Sequence, residues 1–417
     1  MSFLLVLLLG LAGCVCKPYE PGPAIDASAF KHAVYTLTAP EMEGRDAGSD
    51  GIVLARDYLV EQFMNAGLEP AFVIDGKPSY TQPFDLPIGV TSAGEPVVAT
   101  IRNVGGVLPG VGELADEVVV VGGHYDHVGF GQIGARDRAR KGQLHPGADD
   151  NASGTAGVVL LARHFARTHH EPGAPRRTIL FTCFAGEERG LHGSRYMTQH
   201  PGQYIFGQGK TVAMINLDMI GRLRNDEVYL FGDKSGAQWR DWTNAANASV
   251  GLDLKWDVRP PGGSDHSMFI AAGVPAIFFN TWLHPDYHTP DDTPDKVNNE
   301  GGVKVLTLVA TLLEHAATTD QKLTFVVPEP PKPRPYLGVL LQNNERGVLI
   351  AEVPEGPMKK AGAKAGDVLL TLGGKKMASP GNVRTWLNTA KSGEVVVAEV
   401  LRGEETVELK VRLDIRR

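Results

Sequence analysis

The chain has 417 residues, 42% hydrophobic and 21% charged, with 41 Lys and Arg against 48 Asp and Glu for a formal net charge of -7. That length exceeds what one hydrophobic core ordinarily serves, so two globular domains are expected. The acidic balance argues against a nucleic-acid partner, because phosphate backbones are held by a basic face.

Residues 1–16 read MSFLLVLLLGLAGCVC, an apolar run with the length of an export-signal core and too short to span a bilayer stably. Leu11-Ala12-Gly13-Cys14 resembles the bacterial lipobox, which implies an exported protein tethered to the cell envelope through a lipid on Cys14. No Lys or Arg precedes the run, so a plain secretory signal or a short uncleaved anchor stays open. Residues 17–30 begin Pro-rich and read as a tether, followed by a large first domain over 31–320. Of three cysteines, Cys14 and Cys16 lie at the signal, and Cys183 reads as a buried core residue, so no disulfide framework is expected.

A helix is predicted near Asp50 to Asn65, where apolar residues recur at helical spacing before Gly67. From Val97 onward, apolar strands alternate with helices: VVATIRNV, EVVVVGGHYDH, a helix after Gly154, RRTILFTCFAGEE, a helix after Leu191, TVAMINLDM, VYLFG and AIFFN. Strands apolar on both faces and separated by helices predict an α/β three-layer sandwich around a mostly parallel sheet. A helix over Asn298 to Ala317 follows. Residues 321–335, with the run VVPEPPKPRP, read as a stiff linker to a small β-rich domain over 336–417.

Five segments carry metal-ligand residue types, and three of them, HYDH, GEE and NLDM, fall at strand ends, where open α/β sheets bind ligands. His124 and Asp126 stand two apart, so they leave one face of the chain; His124 is expected as a ligand, Asp126 as its orienter, and His127 is expected to point away. Asp149 and Asp150 precede a helix and could serve as N-cap groups, but adjacent acids on a loop repel unless a cation offsets them. Glu187 and Glu188 diverge at a strand end, so one can bind metal while the other handles protons; a solvated acidic turn is the alternative. Asp218 closes an apolar strand and would be costly to bury without a partner. His288, in YHTPDD, has a plain surface alternative. Imidazole and carboxylate oxygen together suit zinc.

The segments GGHYDH, GADDNASG, FAGEERGLHGS, NLDMIGR, SDHSMF and YHTPDDT resemble the co-catalytic zinc aminopeptidase family, which includes aminopeptidase S, glutamate carboxypeptidase, glutaminyl cyclase and the transferrin receptor. The resemblance implies two zinc ions, one on His124 and Asp218, the other on Glu188 and His288, with Asp150 bridging. It also implies Glu187 as general base, a metal-activated water as nucleophile, and removal of the N-terminal residue from peptides. Tyr287, Asp265 and His266 are candidates for positioning substrate. Little chain separates the first helix from HYDH, leaving no room for the protease-associated insert of many relatives. A carboxypeptidase or glutaminyl cyclase of the same fold, or a non-catalytic peptide-binding scaffold, are the rival functions.

The run from Tyr336, YLGV followed by GVLIAEVPEGPMKKAGAKAGDVLLTLGGKK, resembles a PDZ domain of the bacterial protease type. That implies capture of a protein C-terminus by Tyr336, Leu337, Gly338 and Val339, with the peptide adding as a strand. A β-rich stabilising appendage is the alternative. Expected partners are therefore peptides and protein C-termini, with membrane contact through the lipid anchor only.

Overall fold

The computed structural model describes residues 25–90, 96–169, 173–200, 210–256, 263–327 and 334–416. The signal and lipobox lie outside these described residues. The chain divides into two compact units between Pro328 and Glu329.

The first unit opens with helix α1, Ala27–Leu37, capped by Asp26, whose Oδ1 accepts from the Ala29 N–H at 2.8 Å. Ala29, Phe30, Ala33, Val34 and Leu37 recur at three and four residues and are buried. This corrects the tether expected through residue 30: Phe30 is fully buried, so the folded unit already includes α1. Helix α2 is Asp50–Asn65, with Ser49 Oγ accepting from the Ile52 N–H.

The central sheet has nine strands: β1 (Glu69–Pro70), β4 (Thr81–Val90), β5 (Pro96–Leu108), β6 (Val118–His124), β7 (Thr178–Phe184), β8 (Thr211–Leu217), β9 (Glu227–Phe231), β10 (Asp253–Lys255) and β11 (Ala276–Asn280). A separate hairpin joins β2 (Phe72–Ile74) to β3 (Lys77–Ser79). The strand order is β1-β5-β7-β6-β8-β11-β9-β10, with β4 beside β5. The four central strands β7, β6, β8 and β11 run parallel, while β5 and β9 pair antiparallel at their flanks.

Alternation along the strands divides the core in two. Val119, Val121, Ile179, Phe181, Cys183, Ile215, Leu217, Ile277 and Phe279 pack with α1, α2, α3 (Gly154–Thr168), α5 (Trp239–Asn247) and α7 (Asn299–Thr318). Val118, Val120, Leu180, Phe184, Met214 and Ala276 face Met197 of α4 (His192–Gln199) and Phe269 of α6 (His266–Ala271). The result is the three-layer α/β sandwich expected. Parallel register aligns the strand ends that matter: His124 lies opposite Phe184, and Leu217 opposite Phe279.

Residues expected in the linker extend this unit: Phe325 bridges to Gly236, and the Val326 N–H donates to Ser235. Residues 328–333 lie outside the described residues.

The second unit is β-rich. Strands β13 (Leu340–Asn344), β14 (Gly347–Glu352), β15 (Val368–Leu372), β17 (Val395–Arg402) and β18 (Glu405–Arg412) form an antiparallel sheet in that order, with β16 (Lys375–Lys376) beside β15. Strand β12 (Arg334–Tyr336) pairs with β19 (Asp414–Arg416). Val348, Ile350, Leu369, Leu372, Ala398 and Val400 build the core with Met358 of α8 (Pro357–Lys360) and Val383 of α9 (Pro380–Leu387). Buried Asp367 takes a two-pronged ion pair from Arg402, at 2.8 and 2.7 Å. No helix among the described residues is long and apolar enough to cross a membrane.

Candidate metal centre

The carboxyl ends of β6, β7, β8 and β11 converge on one rim. Chain leaving β6 supplies His124, Asp126 and His127; chain leaving β7 supplies Glu187 and Glu188; Asp218 follows β8; Tyr287 and His288 lie in the loop after β11. Asp150 comes from the turn before α3. The buried Asn151 amide ties this turn to the sheet. Its Nδ2 donates to the carbonyls of His124 and Leu217, and its Oδ1 accepts from the Gly154 and Met219 N–H groups.

Two clusters of donor atoms result, one from His124, Glu187 and Asp218, the other from His127, Asp150, Glu188 and His288. His124 Nε2 lies 3.4 Å from Asp150 Oδ1 and 3.5 Å from Asp218 Oδ1. His288 Nε2 lies 2.9 Å from Asp150 Oδ2 and 3.0 Å from Glu188 Oε1, without hydrogen-bond alignment to either. Asp150 thus turns one oxygen to each cluster, the disposition a bridging carboxylate requires.

Both outer imidazoles have their tautomer set by a carbonyl. His288 Nδ1 donates to Gly134 at 2.8 Å, and His124 Nδ1 donates to the Asp126 carbonyl at 3.1 Å. The expected orienter role therefore falls to the Asp126 backbone; its carboxylate is 3.8 Å from His124 Nδ1, too far for a hydrogen bond. That carboxylate instead accepts from the Glu187 and Glu188 N–H groups at 3.1 and 3.3 Å, holding the GEE turn.

His127 is a second correction. It is 1% exposed and sits in the cage, with Nδ1 2.9 Å from Glu188 Oε1. Two-residue alternation, which sent it away from the site, fails because β6 ends at His124 and the following residues are not extended strand.

The electrostatics show a cage short of positive charge. Burial opposes protonation of His288, but the Glu188 and Asp150 carboxylates outweigh it and raise its pKa to about 11. Burial is likewise overcome at His124, chiefly by Asp218 and Glu187, and its pKa lies well above the ordinary imidazole value. Burial and the Asp150 charge resist ionisation of Glu188, yet His288 and His127 hold it at about 2. Without metal, protons on imidazoles supply charge that the carboxylates demand. Nitrogen and oxygen donors, buried and poorly neutralised, fit zinc ions at both clusters.

Glu187 is pushed well above the usual carboxylate range by burial, with the charges of Glu188, Asp265 and Asp218 adding to the rise. It lines a cavity of about 90 Å³ with His124, Asp150 and Asp218; the apolar wall comes from Met219, Phe278 and Leu283, and Gly263, Asn280 and Tyr287 complete it. Asp265 and His266, expected to position substrate, do not line this cavity. Asp265 is fully buried, with burial raising its pKa to about 7. His266 packs its ring on Phe278, centroids 4.8 Å apart.

Three supporting groups escaped sequence reasoning. Asp292 Oδ2 accepts from the N–H groups of both Asp149 and Asp150, at 3.0 and 3.1 Å, and Arg222 approaches its other oxygen. Arg45 is buried and donates to the carbonyls of Leu37, Tyr125, Pro146 and Gly147. Nothing in the spacing of these residues pointed to the site, because each acts on groups brought near by folding: Arg45 and Asp292 on backbone, Arg222 on the Asp286 and Asp292 carboxylates.

In the C-terminal unit, Leu337–Val339 form a loop between β12 and β13, so the YLGV segment is the end of β12 followed by that loop. The Leu337 carbonyl accepts from the Met358 N–H, and Gly338 has φ +72°. Strand β13 ends the sheet order and pairs with β14 alone among the described residues.

A model of peptidase family M28 matches residues 103–313, and a PDZ-domain model matches residues 335–413. A probable zinc metalloprotease of Pyrenophora teres f. teres is 35% identical over 184 residues, 42% of this chain and 34% of that protein. Aminopeptidase YwaD of Bacillus subtilis is 27% identical over 234 residues, 54% of this chain and 46% of that protein. The chain spans about a third to a half of the length of such curated relatives. The zinc aminopeptidase BSAP of Bacillus subtilis shares the fold, with a TM-score of 0.53 at 18% identity over 72% of this chain and 97% of that one. So does the glutaminyl cyclase of Porphyromonas gingivalis, at 0.54 and 19% over 70% and 98%. With its metal donors gathered on one strand rim and zinc as cofactor, the chain belongs to peptidase family M28 and carries a C-terminal PDZ domain.

Proposed function

We propose that this chain is an exported aminopeptidase that uses two zinc ions to remove an apolar N-terminal residue from peptides. The observation that carries this reading is Asp150, with one oxygen toward His124 and Asp218 and the other toward Glu188 and His288. Zinc ions held by His124 and Asp218 and by Glu188 and His288, with Asp150 shared, would polarise the scissile carbonyl and acidify water.

The remaining work belongs to side chains. Glu187, raised by burial and facing the cavity, takes a proton from water and returns it to the leaving amine; bound cations would offset part of that rise. Burial keeps the Tyr287 phenol protonated, so it can donate to the substrate carbonyl oxygen. Met219, Phe278 and Leu283 offer the first side chain an apolar wall, in a cavity of about 90 Å³.

The PDZ domain holds protein or peptide C-termini along the open edge of β13, with the loop Leu337–Val339 at the carboxylate end. Lipidation at Cys14 tethers the protein to the envelope; Cys14→Ser should move it from the membrane to the soluble fraction.

Release of chromophore from a leucine anilide tests the activity. It should be lost with chelator, restored by zinc, and abolished when the substrate amine is acetylated. Equal cleavage of the acetylated substrate would refute exopeptidase action.

A further inference from the structure

His127 shares the cage with the assigned ligands but has no task among them. Its Nδ1 lies 2.9 Å from Glu188 Oε1 and 3.9 Å from Asp150 Oδ2, the two oxygens that His288 Nε2 meets at 3.0 and 2.9 Å. One atom from each of His127, Asp150, Glu188 and His288 falls within 4.8 Å of every other. Tetrahedral ligands at zinc bond lengths of about 2.0–2.1 Å stand about 3.4 Å from one another, and the separations here straddle that value.

The ring is seated by the backbone around it. A Cβ on Gly147 would come 2.4 Å from His127 Cδ2 and 2.5 Å from Cγ, and Gly147 has φ +58°, so glycine leaves the space the imidazole fills. The His127 N–H donates to the Arg45 carbonyl, fixing the ring's root. Nε2 has no hydrogen-bond partner among the described residues, so the side chain's polar partners are the cage oxygens.

We propose that His127 is a fourth protein ligand, through Nδ1, to the metal ion held by Asp150, Glu188 and His288. This rests on the two-ion reading of the site and makes its halves unequal. The His127 half is a closed four-donor set, whereas His124, Asp218 and the shared Asp150 leave a position open beside Glu187. Closed sets suit ions that stay, and open ones suit catalysis. The first zinc equivalent therefore fills the His127 half. The competing role is a hydrogen bond from Nδ1–H to Glu188 that merely orients that carboxylate.

The test uses full-length protein stripped of metal and titrated with zinc by calorimetry, as wild type, His127→Ala and His127→Asn. X-ray absorption at the zinc edge is recorded on wild type loaded with one equivalent, a measurement that needs no variant to fold. The expected results are two equivalents bound by wild type and two imidazoles around the first zinc. Both variants should bind that zinc more weakly by well over about 100-fold, beyond the roughly 10–100-fold that losing an orienting partner costs. Asparagine can replace the hydrogen bond to Glu188 but not the nitrogen ligand, so wild-type affinity in His127→Asn would overturn the inference. One imidazole at the first zinc would do the same. Wild type that takes up fewer than two equivalents would instead overturn the two-ion reading beneath it.

Discussion

Replacing Arg45 by Met should cost the catalytic unit about 4 kcal/mol, although Arg45 touches no donor atom of the cage. The guanidinium is buried and donates to four carbonyls: Leu37 at 2.6 Å, Tyr125 at 2.7 Å, Pro146 at 2.8 Å and Gly147 at 2.9 Å. Tyr125 sits between His124 and Asp126, and Gly147 lies just before the Asp149-Asp150 turn, so one side chain joins both ligand-bearing loops. Four bonds at about 1–1.5 kcal/mol net give about 4–6 kcal/mol, reduced somewhat because methionine avoids burying a charge. Burial lowers the Arg45 pKa only to about 10, so the group remains a cation at neutral pH. Lysine, a point charge without the planar fork, should recover less than half of the loss. Urea unfolding in chelator, followed by tryptophan fluorescence, measures the effect, since Trp239, Trp242, Trp256 and Trp282 lie in this unit and only Trp386 in the other. A loss below about 1 kcal/mol would show that water or loop shifts satisfy the four carbonyls and that the clamp is dispensable.

Other outcomes follow from the cage. Glu187→Gln should lower kcat by about 10²–10⁴-fold with zinc content unchanged by elemental analysis; loss of zinc as well would make Glu187 a ligand instead of a base. His288 has its pKa raised to about 11 in the metal-free protein, so its contribution to stability is complete below its unfolded pKa and disappears as pH rises through about 11. Between those limits zinc must displace its proton, so apparent zinc affinity should climb between about pH 6 and 8 with net proton release, measured calorimetrically in buffers of different ionisation enthalpy. A flat affinity would contradict the raised value. Asp126→Ala should loosen the GEE turn, whose two N–H groups it accepts, and depress kcat more than it weakens zinc binding. Equal loss of both would point to a direct role at the metal. Phe278→Ala should open the cavity wall and shift preference toward bulkier first residues in an anilide panel.

The sandwich was legible because its evidence is periodic: apolar runs such as VVVV and TILFTCF reveal strands buried on both faces, and their ends reveal the rim. Asp218 could be nominated from local context, since an acid at an apolar strand end is costly without a partner, whereas Asp150, Glu188 and His288 each had a plain alternative and owed their ligand roles to the family resemblance. The position of His127 was not legible, because it depends on where β6 stops and on space left by Gly147, twenty residues away. Arg45 and Asp292 were missed for a related reason. Their partners are carbonyls and N–H groups, which every residue carries and no sequence distinguishes. Helix α1 was hidden by its position behind a Pro-rich stretch, although Phe30, Ala33, Val34 and Leu37 have helical spacing.

The most direct measurement is a crystal structure of zinc-loaded protein with anomalous data at the zinc edge. Two peaks about 3.5–4 Å apart are expected, with Asp150 between them, one beside His124 and Asp218 and the other beside Glu188 and His288. A single peak, or two that do not share Asp150, would contradict the account.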